Sequence, residues 1–198
     1  VKQAPCIKKN EAFKTSGQVQ YVAQNGNFRK KGLEYTGALE ILKVILSYDY
    51  LWIQVRVKGG AYGCMSGFGR DGDCYMVSYL DPKLAETNEV YDKLPEYLEQ
   101  FDQDERSMDR YVIGAISEMD IPKNPAALGV RGLTAYLSGI TREQLQKERD
   151  EVIDTDAKEI RALVPYAKAV LSNNCLCVVG NENKIKENSS LFTTVRSL

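Results

Sequence analysis

The sequence predicts an α+β fold: a two-layer sandwich of a mostly antiparallel sheet with helices over one face. Three observations carry that expectation. Period-two segments gather into a hairpin between Tyr62 and Leu80. Helical periods fill most of the chain after it, and strands and helices do not alternate as a parallel design requires. The 198 residues suit one well-filled domain, and 43% apolar with 27% charged residues is ordinary for a globular chain. Lysine and arginine total 26 against 27 acids, a net charge of −1, so no overall field draws nucleic acid or an anionic membrane. No apolar run approaches the roughly 18 residues of a membrane span, and the N-terminus shows no signal-peptide pattern. Neither a nucleic acid nor a membrane is expected as a partner.

In chain order, the start at Val1 without a methionine suggests a processed product or an excised fragment. Residues 1–15 show no firm period and are expected as a linker or N-terminal extension, with the domain proper over 16–198. Val19, Tyr21 and Ala23 alternate as a short strand, and Asn25-Gly26-Asn27 signals a turn. The basic run Arg29-Lys30-Lys31 suits a solvated loop. Thr36 is placed to cap a helix running to about Ser47, apolar nearly all round through Leu39, Ile41, Leu42 and Ile45, and therefore central.

After the hairpin, Asp81-Pro82 predicts a helix start. Leu84, Thr87, Tyr91, Leu94, Leu98 and Phe101 then share one face, with Pro95 kinking or splitting the helix. Helices follow over about 104–119 and 126–137. Thr141-x-x-Gln144 opens another, to about Ile153. A further helix turns Ile160, Leu163, Ala167 and Leu171 inward, with a bend at Pro165. Cys175 to Val179 reads as an inner strand ending at Gly180, and the tail from Asn181 shows a short helical tendency.

The chemistry is bounded first by histidine, of which there is none. That removes HExxH and HxxEH zinc motifs and every Ser-His or Cys-His nucleophile. No metal site is expected in this chain. The five cysteines have no disulfide-framework spacing and suit reduced thiols in a cytoplasmic protein. Gly67 to Gly72 spells GxGxxG but leads into another β-type segment, so it is not a dinucleotide fingerprint.

What remains is Trp52 to Gly63, an apolar and basic segment running into a glycine pair. Gly59, Gly60 and Gly63 allow positive φ or close backbone approach. Arg56 offers a planar five-donor fork and Tyr62 a hydroxyl on a stiff ring. From spacing alone the stretch is either a device that grasps peptide backbone or a tight corner between elements. The segment before it is also two-sided: Leu51, Ile53, Val55 and Val57 alternate as a strand, whereas a helix would put Trp52 and Arg56 on one face.

Gly37-Ala38-Leu39, Asp49-Tyr50-Leu51-Trp52, Val55-Arg56-Val57-Lys58-Gly59-Gly60-Ala61-Tyr62-Gly63 and Tyr79-Leu80-Asp81-Pro82 occur in that order. The chain resembles, from about Gly17 to Gly180, the final domain of the presequence-protease branch of the insulinase (pitrilysin) zinc metallopeptidase family. The resemblance implies a clamshell enzyme whose zinc-bearing N-terminal half lies elsewhere in the same polypeptide and whose substrates are unfolded peptides. It implies that this domain closes the chamber and holds no zinc. It assigns substrate and transition-state binding to Arg56 and Tyr62, with Gly59, Gly60 and Gly63 shaping the loop. It also implies a helix up to Lys58 and a strand from about Tyr62. A non-catalytic peptide-binding or scaffolding module of the same fold is the alternative.

Overall fold

The structure is a computed structural model that describes residues 9–198 apart from residue 174. Six strands form one sheet: β1 (Glu11–Thr15), β2 (Gln20–Asn27), β3 (Gly63–Phe68), β4 (Asp73–Asp81), β5 (Leu176–Asn181) and β6 (Thr194–Ser197), in the order β3-β4-β2-β5-β1-β6. The β3–β4, β4–β2 and β2–β5 pairs are antiparallel, while β1 lies parallel to both β5 and β6. The helices are α1 (Ala38–Ile45), α2 (Ala85–Asp92), α3 (Leu94–Glu99), α4 (Glu105–Met119), α5 (Pro125–Leu137), α6 (Arg142–Asp154), α7 (Ala157–Ala162), α8 (Val164–Leu171) and α9 (Glu182–Glu187). The expected α+β architecture is the one observed.

One sheet face carries Val22, Cys74, Met76, Leu176 and Val178, all buried. The other turns Tyr21, Met65 and Tyr75 toward solvent. Helix α1 is the centre of the packed side, with Leu39, Ile41, Leu42 and Ile45 at 1% exposure or less. Removing one such leucine or isoleucine side chain costs about 2–5 kcal/mol, so α1 is fixed against the sheet by packing alone. The stripe from Leu84 to Phe101 is buried as its spacing implied. The helix divides at Lys93, before Pro95, and the later one divides at Leu163, before Pro165. Proline has no N–H and clashes with the preceding turn, which accounts for both breaks.

Four expectations are corrected. Residues 11–15 are not linker but β1, flanked by β5 and β6; only Ala12 among them is buried, so no period showed. Residues 1–8 of the expected extension lie outside the described residues. Asn25-Gly26-Asn27 is the end of β2, paired with Tyr75, Cys74 and Asp73, rather than a turn. Gly26 sits there because the α8 backbone crosses it: a Cβ would lie 2.2 Å from the Ala169 carbonyl oxygen. Helix α2 begins at Ala85 and not at Pro82. Asp81 is the last residue of β4, and its carboxylate accepts from the Lys83 N–H at 2.9 Å and the Thr87 hydroxyl at 2.8 Å. Finally, β6 in the tail was not anticipated; it is short and mostly exposed, with Val195 its one apolar residue.

The hairpin between β3 and β4 is pinned at its tip. Arg70 donates from Nε to both oxygens of Glu148 on α6, at 3.0 and 2.9 Å, while its guanidinium lies 5.1 Å from the centre of the Tyr35 ring. The Glu148 side chain is only 6% exposed. Arg70→Ala leaves that carboxylate buried without its cation, and the expected loss is about 3 kcal/mol, the low end for a broken buried pair because Arg70 is partly solvated. A lowered urea midpoint checks this. Arg70→Lys should recover less than half of the loss, since an ammonium cannot present the planar fork.

Candidate functional site

The site begins where α1 does not end. Past Ile45 the chain stays helical through Leu46–Tyr50 and Trp52–Lys58, but in wide π-type turns. The period-two reading of 51–58 is thus set aside and the helical one holds. In that geometry Trp52 and Arg56 share a face, and the guanidinium carbon lies 4.1 Å from the Trp52 ring centre. A stacked cation of this kind is held in orientation while its terminal nitrogens remain free to donate.

A glycine-capped turn stops the helix. Gly60, at φ +87°, donates to the Arg56 carbonyl at 2.9 Å, and Ala61 donates to the Val55 carbonyl at 3.2 Å. This is a Schellman-like stop widened by one residue. The left-handed φ at Gly60 would cost a side-chain-bearing residue roughly 1–2 kcal/mol. Gly59 is required by space: a Cβ there would lie 2.2 Å from the Val55 carbonyl oxygen. Ala61 is buried, and Tyr62 emerges at 67% exposure.

Arg56 and Tyr62 are brought together. The Arg56 Nε–H donates to the Tyr62 carbonyl at 3.0 Å. Among the described residues, the two terminal nitrogens of Arg56 and the Tyr62 hydroxyl have no protein partner. The Tyr62 N–H donates to the Leu80 carbonyl at 3.3 Å, tying the loop to β4. Gly63 then opens β3, the edge strand of the sheet, opposite Tyr79. The Tyr79 ring lies across it, so that a Cβ on Gly63 would be 2.3 Å from the Tyr79 hydroxyl oxygen. Tyr62 meets Tyr79 edge to face, with ring centres 5.8 Å apart.

Two members of this assembly were quoted from sequence, in Tyr79-Leu80-Asp81-Pro82, without being given a place at the site. Tyr79 buttresses the Tyr62 ring, and what assigns it there is its place opposite Gly63 in the hairpin. Leu80 has φ +48°, the one non-glycine residue with positive φ among those described. It falls where the β2–β4 register slips between Gln20 and Val22, a bulge that sequence pattern does not encode. Strain of this kind persists only when the surroundings over-determine it, and it sits directly against the Tyr62 backbone. Beside the site, burial pushes the Cys64 thiol up to about 11, with the nearby Arg56 charge opposing.

The arrangement is an open edge, not an enclosed pocket. A cavity of about 990 Å³ lies by Thr36, Asp150, Glu159 and Tyr166 and includes none of these side chains. No cluster of three or more histidine, cysteine, aspartate or glutamate side chains among the described residues could hold a metal ion. The site can therefore donate hydrogen bonds to carbonyl or carboxylate oxygens from a preorganised cation and a phenol, and it does not fit a zinc ion. No helix of the described residues is long and apolar enough to cross a membrane.

The fold is shared with M16 peptidase domains. The chain superposes on the peptidase M16 inactive domain from Pseudomonas fluorescens with a TM-score of 0.62 at 18% identity, covering 87% of this chain and 42% of that one. On pitrilysin the TM-score is 0.60 at 12% identity, covering 87% and 19%. Residues 10–180 match the family described as PreP C-terminal domain, and the chain belongs to that family. It is 49% identical over 191 residues to protein HypA of Clostridium perfringens, covering 96% of this chain and 20% of that protein. It is 31% identical over 195 residues to presequence protease 1, chloroplastic/mitochondrial, of Arabidopsis thaliana, covering 96% and 18%. The chain thus spans about a fifth of the length of these relatives, and it is a domain of an insulinase-family peptidase.

Gly59→Ala forces a methyl group against a backbone carbonyl that cannot swing away. The expected result is a loss of about 1–3 kcal/mol, seen as a lower thermal midpoint.

Proposed function

We propose that this domain supplies substrate-binding donors to a zinc-dependent oligopeptidase that degrades unfolded peptides, the metal being held by another domain of the same polypeptide. The observation that carries the reading is the outward pairing of Arg56 and Tyr62 on one rigid turn, with their terminal donors unspent. Hydrolysis itself belongs to the zinc-bearing half. This chain's part is to hold the Tyr62 hydroxyl where it donates to the scissile carbonyl as negative charge grows, and to hold Arg56 against neighbouring backbone oxygens of the peptide. Donors fixed in place before reaction stabilise such charge without reorganising, which is why one of them is worth about 3–4 kcal/mol. The family match and the presequence-protease relatives support this assignment. The reducing, cytoplasmic setting is proposed from the sequence; among the described residues Cys64, Cys74, Cys175 and Cys177 form no disulfide with one another. The Arabidopsis relative is chloroplastic or mitochondrial by its name.

A second reading is favoured by the Arg56 Nε bond to the Tyr62 carbonyl, which is itself a brace within the corner. On that reading the domain closes or scaffolds the chamber without touching substrate.

Tyr62→Phe and Arg56→Ala in the full-length polypeptide separate the two. The first removes only an outward hydroxyl, so turnover of an unfolded peptide should fall about 100-fold or more with the thermal midpoint unchanged. Arg56→Lys, which keeps the charge but not the fork, should not restore the rate lost in Arg56→Ala. Turnover unaffected by Tyr62→Phe would count against substrate contact and leave the brace.

A further inference from the structure

Helix α5 (Pro125–Leu137) is a well-made helix with no residue buried. Its ends are specified locally. The Asn124 side chain accepts from the Ala127 N–H at 2.9 Å, Pro125 takes the first position, and Gly139 at φ +68° follows the last turn. Isolated helices of about this length are marginal in water, so burial of one side has to stabilise it. Yet Leu128, Val130, Leu133 and Leu137 are 54 to 74% exposed, and Tyr136 more so. Around the helix axis, Leu128, Gly132, Pro125, Tyr136, Gly129, Leu133, Ala126, Leu137 and Val130 follow one another over an arc of about 200° without a charge. The only charged residue of the helix, Arg131, and the half-buried Ala135 lie outside that arc. Arg131 turns toward the body of the domain, where it lines a cavity with Asp120 and Arg149.

We infer that this apolar arc of α5 is the seat of another domain of the same polypeptide, docked on the side of this domain opposite in character to the polar Arg56–Tyr62 edge. The inference rests on family membership and not on the role proposed for Arg56 and Tyr62. Three observations select that occupant. About four fifths of the length of the curated relatives lies outside the span this chain matches, so a large covalently joined partner belongs to the architecture. The face outside the arc carries a single cation, Arg131, where an interfacial membrane helix is rich in lysine and arginine. Gly129 and Gly132 meet nothing within 4 Å, leaving two notches into which a neighbouring element's side chains or backbone can close, while the leucines supply the apolar area. An apolar surface of this extent on a single helix is of the kind that marks a protein contact.

The test is thiol accessibility at residue 133 in the full-length polypeptide. Leu133→Cys is a mild change, and its reaction with a maleimide is followed by mass spectrometry on the peptide that carries the residue, first in buffer and then in urea. Under native conditions the cysteine should react at least about tenfold more slowly than in the unfolded chain, and equally slowly across a hundredfold range of protein concentration. Leu133→Asp in the same polypeptide should lower the thermal midpoint. A native rate matching the unfolded one overturns the proposal, whether or not phospholipid vesicles then slow it. Protection that disappears on dilution also overturns it, since the cover would then be a second copy. If Leu133→Asp fails to fold, the labelling of Leu133→Cys decides alone. Activity plays no part in the readout, so its failure is distinct from failure of the substrate-binding reading.

Discussion

The burial of α1 against the sheet is the constraint on which the remainder depends. Leu39, Ile41, Leu42 and Ile45 leave water completely or almost so, and the helix cannot shift without opening cavities on several sides. Because the same helical path continues to Lys58, that rigidity is transmitted to the point where the chain reverses. The wide π-type turns alter the angular spacing of side chains along the path. They bring Trp52 beneath Arg56 and deliver Val55 and Arg56 as acceptors for the closing turn. Turns of this kind are uncommon and tend to occur where function outweighs regular hydrogen bonding.

The turn and the sheet hold each other. The Tyr62 backbone is tied to Leu80 in the bulged part of β4, and the Tyr62 ring rests against Tyr79, which itself covers Gly63. A tyrosine laid over a cross-strand glycine recurs four residues along, where Tyr75 covers Gly67. Glycine here makes room for a neighbour's ring, so the outer face of the hairpin is shaped by aromatic planes that the opposite strand provides. The opposite end of the hairpin is fixed by Arg70 on Glu148. Both ends of β3 and β4 are thus anchored, one by packing and a turn, the other by a charge pair.

Much of this was legible in the residues, and what was not has identifiable causes. The buried stripe from Leu84 to Phe101 and the division at Pro95 followed from spacing and from proline's missing N–H. Thr141 accepts from the Gln144 N–H as its position suggested. The segment from Leu51 to Lys58 could not be settled by period, because its alternation of apolar and polar residues is also produced by a half-exposed helix with widened turns. The resemblance to the insulinase family settled it. Residues 11–15 were illegible because a strand flanked by two parallel neighbours is specified by backbone pairing, and only Ala12 is fully covered. Asn25-Gly26-Asn27 misled because the glycine answers to the crossing of α8, a contact distant in sequence. At the site, Arg56, Tyr62 and the three glycines were visible as a stretch. Tyr79 and the bulge at Leu80 required the register of the sheet.

The position of β3 has a consequence for handling the domain. As an end strand of six residues it pairs on one side only and presents backbone donors and acceptors on the other, with Met65 outward and no proline to blunt it. The far end of the sheet finishes in four mostly exposed residues of which Val195 alone is apolar, a shorter and poorer template. Separated from the rest of its polypeptide and concentrated, the domain therefore offers one lopsided invitation to intermolecular ladder growth, and a single lysine at Met65 is the least intrusive way to withdraw it.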